Sequence, residues 1–232
     1  GTLFLLPSPI QENNIQSISN EVIRVIHSLH YFIVEKARTA RRYISATGHP
    51  RKIEELVFEE IPLEEISDSG IEMLLQKAAD GYNVGLMSEA GLPAVADPGN
   101  KFVLYAQKTG IKIIPLAGPS SIMMALMASG LEGQRFAFHG YLSAKKSELP
   151  AQLRRLDQRA DLDDATQIWI EAPHRNTQIM EAVERNISSS RLFCIAADMG
   201  GANGFVITKP VGEWKKSGWP EIHKVPAVFL TR

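Results

Sequence analysis

At 232 residues, with 44% hydrophobic and 22% charged side chains, the chain has the make-up of one large or two smaller globular α/β domains. That balance excludes intrinsic disorder, and a formal net charge of −1 removes any whole-chain pull toward a polyanion. Cys194 is the only cysteine, so no intrachain disulfide forms, which suits a reducing cytosol and predicts a cytoplasmic protein.

Residues 1–9 are too short and too uncharged for a signal peptide, and no apolar run approaches the roughly 18 residues of a membrane span. Thr2–Leu6 reads as a short strand closed by Pro7 and Pro9. Ile15, Ile18, Val22, Val25, Ile26 and Leu29 then recur at helical spacing. Tyr31–Val34 is a strand, and residues 38–46 form a basic helix ending near Gly48 and Pro50. Charge is segregated here. Residues 36–52 hold four Arg, two Lys and no acid, whereas residues 53–72 hold seven Glu, one Asp and no base. Such a split describes two solvated faces, or a basic edge for phosphates beside an acidic insulating surface.

Ser69 is placed to cap a helix carrying Ile71, Leu74, Leu75 and Ala78. Val84–Met87 is the next strand. Asp97 is placed to cap a helix with Pro98 in its first turn, running to Gly110. A buried-type strand over 111–116 leads to Gly118-Pro119-Ser120, which opens a helix ending near Gly130. Further on, strands are expected over 136–142, 166–171, 192–197, 204–209 and 225–231, with helices over 145–159 and 174–186. Little helix separates the last strands, so the second half predicts a mixed, partly antiparallel sheet. Two domains follow, residues 1–117 with a mostly parallel sheet and residues 118–232, with the break inside 117–135.

The segment Ser88-Glu89-Ala90-Gly91-Leu92-Pro93-Ala94-Val95-Ala96-Asp97-Pro98-Gly99 follows a strand and precedes a helix. It therefore lies at the carboxyl edge of a sheet, where open α/β folds bind ligands. Ala117-Gly118-Pro119-Ser120-Ser121 repeats the arrangement and offers helix N–H groups to an anion. Neither a G-x-G-x-x-G nor a Walker-type motif is present. His27 and His30 read as ordinary core or surface histidines, Cys194 as an inert core thiol, and no metal site is expected. Glu171 and Arg175 flank Pro173 and His174, either as a strand-end salt bridge or as a cleft wall whose Arg175 meets an anion.

At these residues the chain resembles the tetrapyrrole methylase superfamily, and within it the small-subunit ribosomal RNA cytidine 2′-O-methyltransferases. The pattern S-D-A-G-T-P-x-x-x-D-P-G stands as 88–99, with Glu89 for Asp and Leu92 for Thr. G-P-S-A stands as 118–121, A-T-P-I-G-N as 6–11, A-E-D-T-R as 34–38, G-F-L-P-x-K-K as 140–146 and Y-E-S-P-H-R as 170–175. The resemblance implies two α/β domains with S-adenosylmethionine in the cleft between them, a homodimer, and RNA or a ribosomal subunit as partner. Carried over, Pro7, Glu89, Gly91, Pro93, Ala94, Asp97, Ser120, Ser121, Ile170, Ala197 and Ala227 hold the donor. Glu35 is the base for a ribose hydroxyl, and Arg38, Lys145, His174 and Arg175 meet the substrate. Methyl transfer is an in-line displacement that asks mainly for alignment and exclusion of water, which Pro/Gly loops provide.

The chain also departs from the pattern. A-R-E-L-T-K becomes Ala196-Ala197-Asp198-Met199-Gly200-Gly201, and the late G-E becomes Val225-Pro226. Donor-side residues are largely kept while the acceptor side has changed. Two other functions stay open on the sequence alone: methylation of a tetrapyrrole or other small molecule, and a donor-binding or scaffold protein without activity.

Overall fold

Consecutive apolar residues in the early strands, such as Leu3-Phe4-Leu5-Leu6, call for a sheet covered on both faces. The computed structural model describes residues 1–12, 14–62 and 66–232 and divides into two units, Gly1–Ser120 and Ser121–Arg232. In the first unit the order is β1 (Thr2–Leu6), α1 (Asn20–Ser28), β2 (Tyr31–Val34), α2 (Ala37–Ala46), β3 (Val57–Glu60), α3 (Asp68–Ala79), β4 (Val84–Met87), α4 (Asn100–Thr109) and β5 (Lys112–Pro115). The strands pair in parallel in the order β3-β2-β4-β1-β5.

Alternation along each strand sorts the helices. Phe4, Leu6, Phe32, Val34 and Met87 pack on Val22 and Ile26 of α1 and on Ala40, Tyr43 and Ile44 of α2. Leu3, Leu5, Ile33 and Leu86 point the other way, onto Ile71 and Leu75 of α3 and Phe102 and Ala106 of α4. Strands β1 and β4 are neighbours, yet the chain leaves β1 for α1 on one face and leaves β4 for α4 on the other. The carboxyl edge between them is thus a topological switch point, the place where such sheets open a crevice.

Several boundaries differ from expectation for local reasons. The periodic run from Ile15 to Leu29 splits into a 3₁₀ turn at Ile15–Ser17 and α1, because Ser19 accepts a hydrogen bond from the Val22 amide and starts the helix there. Ser67 rather than Ser69 caps α3, accepting from the Gly70 amide. Strand β3 hides inside the acidic run, since an edge position tolerates Glu59 and Glu60 in a way an inner strand would not. Glu64 and Glu65 of that run lie outside the described residues.

The second unit contains α5 (Ser121–Ser129), β6 (Phe136–Tyr141), α6 (Leu149–Leu162), β7 (Thr166–Ile170), α7 (Asn176–Asn186), β8 (Leu192–Ala197), β9 (Phe205–Pro210), α8 (Val211–Ser217) and β10 (Ala227–Thr231). Its sheet runs β6-β7-β10-β8-β9, parallel only between β6 and β7, which is the mixed sheet the sequence predicts. Trp169, Phe193 and Phe229 stack on the face covered by α6, α7 and α8. Ile168, Cys194, Ala196, Val228 and Leu230 face α5. Burial pushes the Cys194 thiol up to about 11, as an inert core thiol requires. Helix α6 begins at Leu149, not 145, with a proline in its first turn. The unforeseen α8 is anchored by Trp214, whose indole N–H donates to the Phe193 carbonyl at 2.9 Å. Among the described residues, no helix is long and apolar enough to cross a membrane.

Candidate functional site

Three loops leave the carboxyl edge of the first sheet, after β1, β4 and β5, and the structure ties them together. Ser8 and Gly91 form an isolated antiparallel bridge, with amide-to-carbonyl distances of 2.8 and 3.0 Å. The Ser8 hydroxyl also donates to the Ser88 carbonyl at 2.8 Å. Gly91 sits at φ 75°, where a side chain is disfavoured, and a Cβ there would stand 3.6 Å from the Pro119 carbonyl. At Gly118 a Cβ would fall 2.1 Å from Cβ of Pro7. The loop after β5 therefore packs its Gly118 backbone directly on the Pro7 ring, and Gly91 faces the Pro119 carbonyl.

The loop after β4 stores strain. Ala94 and Ala96 lie at φ 66° and 63°, a region most residues with a Cβ avoid. The Asp97 carboxylate accepts from the amides of Ala94 (2.8 Å) and Gly99 (2.7 Å) and so stabilises the turn. The expectation that Asp97 caps α4 is corrected: Gly99 is the N-cap, without a side-chain bond, and Asp97 folds back into its own loop. Burial raises the Asp97 carboxyl, against the pull of the Gly99 and Ala94 amides.

A second cluster borders these loops at the start of α2. Glu35, just past β2, accepts the Glu89 amide at 2.6 Å. The Glu89 carboxylate in turn takes Lys36 Nζ at 2.7 Å and the Thr39 hydroxyl at 3.2 Å. Glu60, at the end of β3, accepts the Ala37 amide at 2.5 Å and caps α2, whose own N-cap Lys36 makes no side-chain bond. Half-burial raises the Glu35 carboxyl; the Glu89 amide opposes this, and the charges of Asp97 and Glu89 add to it. Arg38 is exposed on α2. Against this cluster lies a cavity of about 160 Å³ walled by Pro9, Ile10, Thr39, Tyr43, Ala46 and Glu89. Tyr43, whose hydroxyl donates to the Pro7 carbonyl at 3.1 Å, and Thr39 escaped the sequence reading. Their only signal was the spacing of Ala40, Tyr43 and Ile44 on the buried face of α2.

In the second unit, Ile170, Ala197 and Ala227 come from distant segments and meet at one end of the sheet. Ala227 pairs with Ala197, and the next residue, Val228, pairs with Ile170. Arg175 is engaged at home: it bonds Glu171 at 3.1 Å and the Ser143 carbonyl at 2.9 Å, with 13% of its side chain exposed. Lys145 pairs with Glu148 at 3.0 Å, and His174 is exposed. Among the described residues, no group of three His, Cys, Asp or Glu is placed to hold a metal ion.

This architecture occurs in solved structures. The methyltransferase CobJ superposes with a TM-score of 0.66 at 18% identity, covering all of this chain and 93% of its own. Uroporphyrin-III-C-methyltransferase from Thermus thermophilus gives 0.54 at 16% identity, covering 100% and 91%. The chain has the fold of the tetrapyrrole methylases. In sequence it resembles proteins named ribosomal RNA small subunit methyltransferase I. Identity is 27% with that of Escherichia coli O157:H7, over 92% of this chain and 70% of the relative. For Pseudomonas aeruginosa it is 28%, over 92% and 71%, and for Bacillus subtilis 30%, over 79% and 59%. The chain thus spans about two thirds of the length of these relatives. No family model matches it.

Proposed function

We propose that the chain is an S-adenosylmethionine-dependent methyltransferase acting on RNA, at a ribose 2′-hydroxyl of the small ribosomal subunit. Sequence similarity to the ribosomal RNA methyltransferases over most of the chain supports the reaction. The observation that carries the reading is the joined set of loops at the switch point, where Ser8 bridges Gly91 and Gly118 abuts Pro7. Loops built of glycine and proline at a switch point suit a donor recognised through its amino-acid part and its shape.

The donor, when bound, supplies an activated methyl group. The residues proposed to hold it are Pro7, Glu89, Gly91, Pro93, Ala94, Asp97, Ser120 and Ser121 on the loops, together with Ile170, Ala197 and Ala227, which the resemblance adds. Glu35 would take the proton of the acceptor hydroxyl. Half-buried and with its affinity for a proton raised, it is a better base near neutral pH than a solvated carboxylate. Arg38, Lys145, His174 and Arg175 would meet the RNA, and a homodimer is the proposed assembly.

The decisive assay offers labelled S-adenosylmethionine and RNA from cells lacking the protein, with and without small ribosomal subunits. Label recovered in 2′-O-methyl nucleosides, with RNA affinity falling steeply as salt rises, is the expected result. Absent label together with no donor binding by calorimetry would remove the enzyme assignment.

A further inference from the structure

We infer that Tyr43 is a positioning residue of the donor site: its hydroxyl fixes the peptide plane between Pro7 and Ser8 and so holds the loops after β1 and β4 together. The inference rests on the methyltransferase reading and adds the residue that sets the shape of the donor loops.

Past the end of β1 the chain leaves the sheet, and the buried Pro7 carbonyl needs a partner outside the ladder. The Tyr43 hydroxyl supplies it, from a side chain that is itself buried. The next amide along the chain, that of Ser8, donates to the Gly91 carbonyl at 2.8 Å. These two groups belong to one peptide unit. A trans peptide is planar, and its C=O and N–H point to opposite sides. Tyr43 on one side and Gly91 on the other therefore hold the same plane. Releasing the carbonyl frees the Ser8 amide to turn away from Gly91. Gly91 returns a bond from its own amide to the Ser8 carbonyl at 3.0 Å, so the bridge between the loops depends on that plane.

Helix α2 is placed for this task. Lys36, Thr39 and Tyr43 stand three and four residues apart, on one helical face. The first two reach Glu89 on the loop after β4, and the third reaches Pro7 on the loop after β1. The Lys36–Glu89 pair is exposed, and such pairs hold weakly. The bond from Tyr43 is buried, where leaving the carbonyl without it is costly. Pro7 is also met by Gly118, whose backbone leaves no room for a Cβ beside the Pro7 ring. Burial raises the Tyr43 phenol above its ordinary range, so it keeps its hydrogen to donate. The ring packs in the core with Leu6 and Ile44; only the hydroxyl reaches the loop.

The test compares Tyr43→Phe with Ile44→Val, both in the full chain. Tyr43→Phe keeps the ring and removes the hydroxyl. Ile44 is fully buried on the same helix, and shortening it weakens the core while the Pro7 carbonyl stays bonded. Amide hydrogen exchange by NMR should quicken at Ser8 and Gly91 in Tyr43→Phe by about fivefold or more beyond any change in Ile44→Val, the lower end for a buried group deprived of its partner. Affinity for S-adenosylmethionine, measured by calorimetry, should fall by a similar factor in Tyr43→Phe and hold in Ile44→Val, although both variants unfold at lower urea. Matching exchange at Ser8 and Gly91 in the two variants, or a donor affinity of Tyr43→Phe equal to that of the unmodified protein, overturns the inference. Either result leaves the methyltransferase reading standing, because the unmodified protein still binds the donor. An unmodified protein that binds no S-adenosylmethionine overturns both.

Discussion

Glu35 carries an electrostatic cost that gives it a signature. Its carboxyl is raised chiefly by burial, so the folded chain binds this proton more tightly than the unfolded chain does. Stability from the site is then fully present below the unfolded value and declines as pH rises through the folded one. Glu35→Gln should raise the melting temperature at pH 7 and leave it nearly unchanged at pH 4, because Gln still offers an oxygen to the Glu89 amide. Methyl transfer by the same variant should fall at least about tenfold, within the range for loss of a general base. A melting shift independent of pH would separate Glu35 from that role. Gly118 makes the steric case. With Pro7 in the space a Cβ would fill, Gly118→Val should cost about 1–3 kcal/mol in urea unfolding and weaken donor binding by calorimetry. Gly133→Ala, where nothing lies within 4 Å, should change neither.

At the scale of elements, α2 holds the proposed acceptor side together, yet its N-terminus is capped from another strand. Glu60 of β3 accepts the Ala37 amide, which places a carboxylate at the positive end of the helix. Glu60→Ala should cost about 1 kcal/mol, typical of a lost cap, and Glu60→Gln should recover most of it; both are read from urea midpoints. The cap also explains why an edge strand rich in Glu follows so basic a helix. One acidic residue of β3, Glu60, thus serves α2 rather than solvent alone. Helix α4 teaches the opposite lesson. Asp97 and Pro98 look like a helix start, but Gly99 is the N-cap and the Asp97 carboxylate folds back to accept from both the Ala94 and the Gly99 amides.

Over the whole molecule, each unit buries its own pair of cores, and all three tryptophans, Trp169, Trp214 and Trp219, lie in the second. Tryptophan fluorescence therefore reports on residues 121–232, whereas far-UV circular dichroism reports on both units. Trp169 is fully buried among Phe193 and Phe229, and Trp169→Ala should destabilise the second unit by about 3–5 kcal/mol. The fluorescence transition should move to much lower urea, and the ellipticity transition should broaden or split. A single coincident shift of both signals would mean that the units unfold together.

Chain order and local pattern determine most of the architecture here. Strand–helix alternation marks a parallel sheet in the first half, short spacing between the last strands marks a mixed one in the second, and the Gly/Pro runs at 88–99 and 117–121 mark loops at the carboxyl edge of the first sheet. These signals are legible because periodicity and turn chemistry act over a few residues. Strand β3 was hidden because its glutamates break the apolar pattern, and α8 because one buried tryptophan anchors seven residues. Only the tertiary structure decides that Ser8 bridges Gly91, that Glu60 caps α2, that Glu89 joins Glu35 to Lys36 and Thr39, and that Ile170, Ala197 and Ala227 share one sheet end. These pairs lie tens of residues apart, and nothing in either partner's neighbourhood names the other. Their meeting is fixed by strand order and by which face each helix covers, which are properties of the folded chain as a whole.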